Sequence, residues 1–550
     1  MQTVDVKKYG ALGDGITDDT LSIRKATAAL TSGSTLYFPV GTYLIQTEGT
    51  VVYVKEISTI SVHFELGAEL LLDNLNEKGV GTGHAFFFQG PAEDLSLSGL
   101  QIRWKTRPAR RSMGDGIRID GPAHQEGPSD QRTYKNVTIT HCRVENAPQT
   151  GMVLMGCSDI KISDIELMGT WADGVHLNAC RRYAVRHVSG NRVGDDNVAL
   201  VTYYHPDTKR SALGGRSEGP YAQASLSEWS NFQGIIAHVR SSQKTGANGM
   251  RIAGARNVAV TDVHVRQRKA AIIVDAGKKG NTFGWSYLAS REIAISGVEA
   301  DQCHVGVHIM TFNVTPANGL FWNFDVTLSN VITHDCAHDN LLVEKCSGVQ
   351  LSGIHSSQGR VRLINLNNLT VNQLRQRHGN VIVHGLSALG RQQSSFNQAS
   401  NLTLDSITVY HGSLQVENAE QVRGGHWAVY QSERETSISL VNLQEVRVDE
   451  LTVVMTPRYG IRVIKCQGVT VKRADVTSEA KKCIPIEVGG GNAFIRTEDV
   501  TFEQVIYKNG EGKPKVLFQQ GPYAPQRVSI QMEYQGDQRS RVRQQHFQLP

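Results

Sequence analysis

Three aspartates in the middle of the chain have an arrangement that suits acid–base chemistry. Asp173 precedes a glycine, and further along the chain the pair Asp195-Asp196 follows a glycine. Crowding three carboxyl groups makes their simultaneous ionisation costly, so one of them should keep a proton near neutral pH. Glycoside hydrolysis needs this combination, because one carboxyl group protonates the departing oxygen while another activates water or attacks the sugar.

The elements that position these aspartates repeat along the chain. A ten-residue phrase of alternating apolar residues, interrupted by a polar or small pair, begins at Asn136, Ser158, Gly234, Asn257, Glu292, Asp325, Gly348, Asn401, Glu445 and Gly468. Many successive starts are separated by a nearly constant interval, as from Asn136 to Ser158 and from Asp325 to Gly348. Such a period with strand-like alternation predicts an all-β solenoid, a parallel β-helix whose rungs stack strand on strand.

The repeat also predicts how the aspartates meet. The interval from Asp173 to Asp195 is the same as that from Asn136 to Ser158, so it equals one rung of the solenoid. Equivalent positions on successive rungs lie side by side, which predicts that Asp173 and Asp195 are neighbours. The sequences D-G and G-D-D also serve as plain turns, which is the structural alternative.

The two ends of the chain differ from the repeats. Residues 17 to 30 place Leu21, Ala28 and other small or apolar residues at helical spacing, which predicts a short N-terminal helix that caps the stack. The repeats predict a cap over residues 1–50, a β-helix over 51–506 with a loop insertion at about 203–232, and a C-terminal cap or oligomerisation tail over 507–550. Within the tail, RVSIQMEY is a strand candidate.

Composition excludes several classes of function. The formal net charge of +5 over 550 residues is small, and no basic stripe with stacking aromatics indicates nucleic-acid binding. The N-terminus has no charged region followed by an apolar one, and no stretch of 18 apolar residues occurs, so we expect no secretion signal and no membrane partner. The eight cysteines form no CxxC pair and are expected as buried thiols. The sequence predicts neither a cofactor nor a metal site.

Two segments resemble known families. VDVKKYGALGDGITDDT, followed by LYFPVGTYLI, resembles the opening of the pectate-lyase-like superfamily, which implies a right-handed parallel β-helix. The segment Trp171 to Leu200 resembles the catalytic rungs of glycoside hydrolase family 28, with Ala172-Asp173-Gly174 and Gly194-Asp195-Asp196 in place of its aspartate motifs. The resemblance implies that Asp195 is the general acid, that Asp173 and Asp196 hold the attacking water, and that the anomeric configuration inverts.

The sequence departs from that family where substrate is held. Asn248 stands in place of a histidine, and the apolar run Ala270–Ile273 stands in place of the Arg/Lys pair that grips galacturonate in that family. These departures argue against galacturonan as substrate. The candidate substrate-binding residues lie near the aspartates or in the aromatic insertion: His176, Asn248, Arg251, Tyr203, Tyr204, His205, Arg216 and Trp229.

Three functions remain open at this point. The first is a hydrolase, such as a phage tail depolymerase acting outside the cell on capsule, lipopolysaccharide or exopolysaccharide, in which case the protein belongs to a virion tail. The second is a lyase or epimerase that uses Tyr203 or His205 as base. The third is a non-catalytic glycan-binding spike in which the aspartates are structural. The likeness to tailspikes implies a homotrimer.

Overall fold

The computed structural model describes residues 2–121, 134–204, 231–243, 247–276, 286–287, 290–311, 324–385, 399–490, 496–509, 515–519, 522–535 and 543–550. The chain divides into two compact units, Met1–Glu299 with Thr311–Asn323, and Ala300–Met310 with Phe324–Pro550. The regular secondary structure of the described residues is nearly all strand with one α-helix, and the predicted right-handed parallel β-helix with an N-terminal helix is confirmed. No helix in these ranges is long and apolar enough to cross a membrane.

The first unit contains both helices found among the described residues. These are the 3-10 helix Val6–Tyr9 and the α-helix Thr20–Ala28. Its strands are Gln2–Asp5, Asp14–Asp18, Ser34–Phe38, Gly41–Ile45, Val52–Lys55, Ile60–Phe64, Ala68–Leu72, Phe86–Gln89, Ala92–Ser98, Gln101–Trp104, Ile117–Asp120, Tyr134–Glu145, Met152–Met155, Cys157–Met168, Val175–Asn178, Arg181–Asn191, Val198–Val201, Tyr203–Tyr204, Asn231–Ser242, Met250–Ala253, Ala255–Arg266, Ala270–Ala276, Ser286–Tyr287 and Arg291–Asp301.

The second unit continues with strands of the same kind. They are Val305–Thr311, Phe324–His334, Asp339–Glu344, Ser347–Ser357, Arg360–Ile364, Asn367–Val371, Leu374–Arg377, Val381–His384, Ala399–Tyr410, Leu414–Tyr430, Thr436–Val454, Tyr459–Ile464, Gln467–Thr477, Ile484–Gly489, Glu498–Lys508, Val516–Phe518, Gln526–Gln535 and Arg543–Leu549. The strand Gln526–Gln535, which contains RVSIQMEY, pairs parallel with Glu498–Lys508 and antiparallel with Arg543–Leu549.

The polar interruption in each ten-residue phrase is a backbone bend. His141, Asp164, His187, His238 and Asp262 occupy the same position on successive long strands, and their φ angles lie between 53° and 58°. This left-handed conformation is strained for most residues and is tolerated best by Gly, Asn, Asp and His. The residues on both sides of the bend resume alternation and send Val, Ile and Leu into the core. All eight cysteines are buried as thiols.

The N-terminal helix lies where the sequence predicts it, but the residues that it buries differ from the predicted ones. Leu21 is 63% exposed and Ala28 is exposed as well, whereas Ile23 and Ala26 are fully buried. The Asp18 carboxylate accepts a hydrogen bond from the backbone N–H of Thr20 at 3.1 Å, which satisfies a donor in the first turn. The helix begins at Thr20, and the face that it buries carries Ile23 and Ala26 rather than Leu21 and Ala28.

Candidate active site

One position recurs at the corner of five successive rungs of the first unit, immediately before a glycine or asparagine and a short buried strand. We call this set the corner column, and it consists of Asp115, Thr150, Asp173, Asp196 and Asn248. Backbone hydrogen bonds fix the register of the column. The residue that follows a column member donates its N–H to the carbonyl oxygen of the column member on the next rung, as from Gly151 N to Asp173 O at 2.9 Å and from Gly174 N to Asp196 O at 2.8 Å. The column brings two of the predicted carboxylates, Asp173 and Asp196, together on rigid β-structure.

The predicted pairing of Asp173 with Asp195 is wrong by one residue. Val175 is in register with Val198, so the equivalent of Asp173 on the next rung is Asp196. Asp195 precedes the column and bonds through its backbone N–H to Ala172 O at 3.2 Å. The three side chains nevertheless converge, because one carboxylate oxygen from each lies within 4.8 Å of the other two.

Two glycines make this corner sharp enough to crowd the carboxylates. A Cβ added at Gly174 would lie 2.4 Å from Asn197 O, and one added at Gly194 would lie 2.6 Å from Trp171 O. Backbone atoms cannot yield as a flexible side chain can, so only glycine fits either position. The D-G and G-D-D motifs therefore reflect both a tight corner and the chemistry it presents.

Asp173 is the ionised member of the cluster. Its Oδ2 lies 2.6 Å from His176 Nδ1, and its Oδ1 accepts a hydrogen bond from the Asp196 backbone N–H at 3.0 Å. Burial alone would raise the pKa of Asp173, but the hydrogen bond and charge of His176, helped by the charge of Arg111, outweigh burial and hold it below its usual value. His176, a predicted substrate contact, thus serves to keep Asp173 charged.

Asp196 is the member that holds a proton. It is 3% exposed. Burial, followed by the neighbouring charges of Asp173 and Asp195, raises the pKa of Asp196 to about 8. Its Oδ1 accepts hydrogen bonds from the Asn248 side-chain amide at 2.8 Å and from the Asn248 backbone at 3.2 Å. Asn248, predicted to contact the sugar, uses its amide within the protein to hold Asp196.

Asp195 is the carboxylate that reaches solvent. Its side chain is 43% exposed, compared with 12% for Asp173. The charge of Asp173 and then burial raise the pKa of Asp195 above its usual value. Its Oδ2 lies 3.2 Å from Nη1 of Arg111, which also donates from Nε to Gln149 Oε1 at 3.4 Å. Sequence reasoning missed Arg111, because it lies 84 residues away in a segment without periodic pattern.

A buried arginine fixes the Asp195 turn. Arg268 is 2% exposed and donates to the backbone oxygens of Val193 at 2.8 Å, Asn248 at 2.9 Å and Asp195. The sequence did not single it out, although it lies two residues before the apolar run that replaces the family's Arg/Lys pair. An arginine does reach the site from this rung, but it binds main-chain carbonyls and acts by positioning the aspartates.

An aromatic residue that the sequence analysis left unassigned lies two residues before Asp173. Trp171 is partly exposed and donates from Nε1 to Pro108 O at 2.9 Å. The Arg107 guanidinium lies 4.9 Å from the centre of its ring. These two contacts hold the side chain in place, and aromatic rings of this kind present an apolar face with a polar edge. Its signal in the sequence was the motif Trp171-Ala172-Asp173 itself.

The remaining predicted contacts bind within the protein or lie outside the described ranges. Arg251 is in register with Ala199, and Nε and Nη2 of its guanidinium donate to the two oxygens of the buried Asp275 carboxylate at 3.0 and 2.6 Å. Tyr203 and Tyr204 form a short antiparallel pair with Ser286–Tyr287, and their side chains are not described. His205, Arg216 and Trp229 lie outside the described residues.

The arrangement can perform acid–base chemistry, and its oxygens could also hold a hard cation. Ca²⁺ binds carboxylate oxygens, and the three aspartates present one such oxygen each at this corner. The opposite pKa shifts of Asp173 and its two neighbours, however, keep the cluster only partly ionised, which suits proton transfer.

Comparison with known protein families agrees with the resemblance of the opening segment to the pectate-lyase-like superfamily. Residues 3–53 match the family model described as rhamnogalacturonase A/epimerase, pectate lyase-like. The opening of the chain is pectate-lyase-like. A curated relative, the plasmin and fibronectin-binding protein A of Streptococcus pneumoniae (strain ATCC BAA-255 / R6), is 32% identical over 191 residues, which cover 30% of this chain and 24% of that protein. The chain thus spans about a quarter of the length of the curated relative it matches.

Solved structures with similar folds share little sequence with the chain. A tailspike protein of E. coli bacteriophage HK620, in complex with a pentasaccharide, is 11% identical with a TM-score of 0.49 and covers 82% of this chain and 76% of its own. A family 28 exopolygalacturonase of Yersinia enterocolitica is 12% identical with a TM-score of 0.40 and covers 81% and 78%.

Proposed function

We propose that the protein is a glycoside hydrolase that degrades a polysaccharide of a bacterial surface, in the manner of a tailspike depolymerase. The observation that carries this proposal is the divergence of three adjacent carboxyl groups, with the pKa of Asp173 lowered and those of Asp195 and Asp196 raised. Titratable groups whose environments push their pKa values apart are the means by which one site supplies both acid and base. Simple turn aspartates have no need of this arrangement.

In the proposed mechanism, Asp195 is the general acid. It combines a raised pKa with solvent access, so it can carry a proton to the glycosidic oxygen of a bound chain. Once that proton has left, Arg111 lies 3.2 Å from the carboxylate and stabilises its charge. Asp173, ionised through His176, accepts the proton of the attacking water, and the neighbouring protonated Asp196 helps to hold that water.

The surroundings of the cluster support a heteropolysaccharide substrate. The uncharged Asn248 stands in place of the histidine of family 28, and its side-chain amide is bound to Asp196. This position therefore offers no charge to hold a uronate at the cleaved position, and a neutral or amino sugar suits the site better. Trp171 offers a ring for stacking on a sugar. Arg107 and Arg111 are cationic and suit an acidic residue elsewhere along the glycan, which capsules, lipopolysaccharides and exopolysaccharides can supply.

We further propose that the protein acts outside the cell, as part of a virion tail where a phage encodes it, and that it assembles as a homotrimer. Parallel β-helices of depolymerase type work on extended glycans, which are met at the cell surface. Light scattering of the purified chain tests the assembly, with a mass of three chains expected and a single-chain mass contradicting it.

The deciding experiment is a screen of bacterial surface glycans and plant polysaccharides for release of reducing ends, with Asp195→Asn as the matched variant. We expect reducing ends from a bacterial heteropolysaccharide with the wild type and a large loss with the variant. Products that absorb in the ultraviolet would instead indicate a lyase. Binding of glycan by both proteins without any product would identify a non-catalytic spike.

A further inference from the structure

A second cluster of potential ligands lies in the other unit, far along the sequence from the aspartates. His378 and His411 stack with their ring centres 4.6 Å apart and their planes within 4° of parallel. Glu433 approaches from the next rung, with Oε1 3.6 Å from His411 Nδ1. One nitrogen from each histidine and one oxygen of the carboxylate lie within 4.8 Å of one another. Two imidazoles and a carboxylate are a donor set typical of zinc and similar divalent ions.

The backbone fixes the two histidines at this spacing. Both occupy the same left-handed corner position on successive rungs, with φ of 51° and 54°, and His378 N donates to Tyr410 O at 2.8 Å. Each is followed by a glycine that no other residue could replace. A Cβ at Gly379 would lie 1.7 Å from Gly359 O, and one at Gly412 would lie 1.9 Å from Gly379 O. The repeated His-Gly corner therefore fixes the backbone of the two histidines at the spacing of successive rungs, so that their imidazoles start from neighbouring positions.

The side chains have the freedom to close on an ion. Two ligands of a tetrahedral zinc ion lie about 3.4 Å apart, given bonds of about 2.0–2.1 Å. The three ligand atoms already lie within 4.8 Å of one another, so small side-chain rotations bring them to this separation. His411 is 34% exposed and Glu433 is 70% exposed, and His378 is exposed as well, so no core packing opposes the movement.

A second stacked pair shows what distinguishes this cluster. His187 and His238 stack at 4.7 Å and occupy left-handed bends of the first unit. There, each imidazole already uses Nδ1 on a carboxylate, with His187 3.1 Å from Asp164 and His238 2.6 Å from Asp262. At the His-Gly corners the carboxylate stays 3.6 Å from the ring nitrogen, beyond hydrogen-bond distance.

We propose that His378, His411 and Glu433 form a binding site for a divalent transition-metal ion of the zinc class, with water completing its coordination. The ion joins three successive corners of the second unit and stabilises their stacking. Any ion that binds the folded state alone raises its stability by mass action. This site is separate from the aspartate cluster and does not depend on the proposed hydrolase function.

Titration of the full chain with Zn²⁺ by calorimetry tests the site, with Co²⁺ absorption as a spectroscopic readout of nitrogen ligation. We expect one saturable Zn²⁺ site that is lost in His378→Gln and in His411→Gln and weakened in Glu433→Gln. Glutamine is a suitable replacement, because Gln358 and Gln431 occupy the same column with φ of 57° and 52°. Zn²⁺ should raise the melting temperature of the wild type but not that of His378→Gln.

The matched control is His187→Gln, which alters the other stacked pair and should leave Zn²⁺ binding unchanged. Circular dichroism of each variant confirms that the stack is intact. The proposal is overturned if the wild type shows no saturable Zn²⁺ site, if His378→Gln binds as the wild type does, or if His187→Gln removes the same site.

Discussion

Replacing Asp196 with asparagine should make the protein more stable at neutral pH, although it removes a group of the active site. The pKa of Asp196 is raised to about 8 in the folded chain, whereas an unfolded aspartate titrates near 4. A group whose folded pKa is raised contributes stability that is complete below about pH 4 and is lost as pH rises to about 8. Asparagine resembles the protonated carboxyl and can still accept the two hydrogen bonds from Asn248.

The size of the effect follows from proton linkage. Between about pH 4 and pH 8 the folded wild type binds one proton more than the unfolded chain, so it loses about 1.4 kcal/mol of unfolding free energy per pH unit. The variant lacks this loss. Between pH 5 and pH 7 the difference between variant and wild type should therefore shift by about 2.7 kcal/mol in favour of the variant.

Urea unfolding of both proteins at pH 5 and pH 7 measures this shift. The control is Asp159→Asn. The hydrogen bond from Arg182 holds the pKa of Asp159 below its usual value, so its difference from the wild type should stay constant over this range. A difference between Asp196→Asn and wild type that stays constant, or that moves in favour of the wild type, would show that Asp196 is ionised and that the proton has been assigned to the wrong carboxyl.

Three further predictions concern activity and the supports of the site. Asp195→Asn should lower turnover by about 10²–10⁴ and leave glycan binding intact. Adding Asp173→Asn should lower turnover little further, because the carboxylates act as a unit. Steady-state kinetics in which the two losses multiply would contradict this. Arg268→Met should lower the unfolding free energy by more than about 2 kcal/mol and also reduce kcat, because it removes several hydrogen bonds to backbone carbonyls around the aspartates. Lys269→Met at the exposed neighbour should change neither. The wild type should show negligible hydrolysis of polygalacturonate, and vigorous hydrolysis would refute the role given to Asn248. A chain without the insertion 203–229 should keep its strand content but lose glycan recognition.

The fold was predictable because its cause is local and repeated. Alternating apolar residues define inward faces, and the polar residue that interrupts each phrase, such as His141 or Asp164, marks a left-handed bend that few residue types tolerate. The N-terminal helix was predictable in position but not in orientation. The buried face carries Ile23, and which face is buried depends on how the helix packs against the rest of the fold.

The site was predictable in its members but not in its register. Rungs whose lengths differ by a single residue look alike in the sequence, because corner loops absorb a residue without altering the strands, so Asp195 was paired where Asp196 belongs. Arg111 and Arg268 could not be found, since they reach Asp195 from 84 and 73 residues away. Which carboxyl keeps the proton depends on burial and on His176, and neither is visible before the chain is folded.

Cleavage of the responsive bacterial glycan in isotopically labelled water tests the central claim most directly. Hydrolysis by the aspartate cluster predicts that each new reducing end carries one labelled oxygen with the wild type and that labelled ends are almost absent with Asp195→Asn. The anomer formed first, followed by nuclear magnetic resonance, reports inversion. Cleavage products without the label, or equal labelling by Asp195→Asn, would contradict hydrolysis by these carboxyl groups.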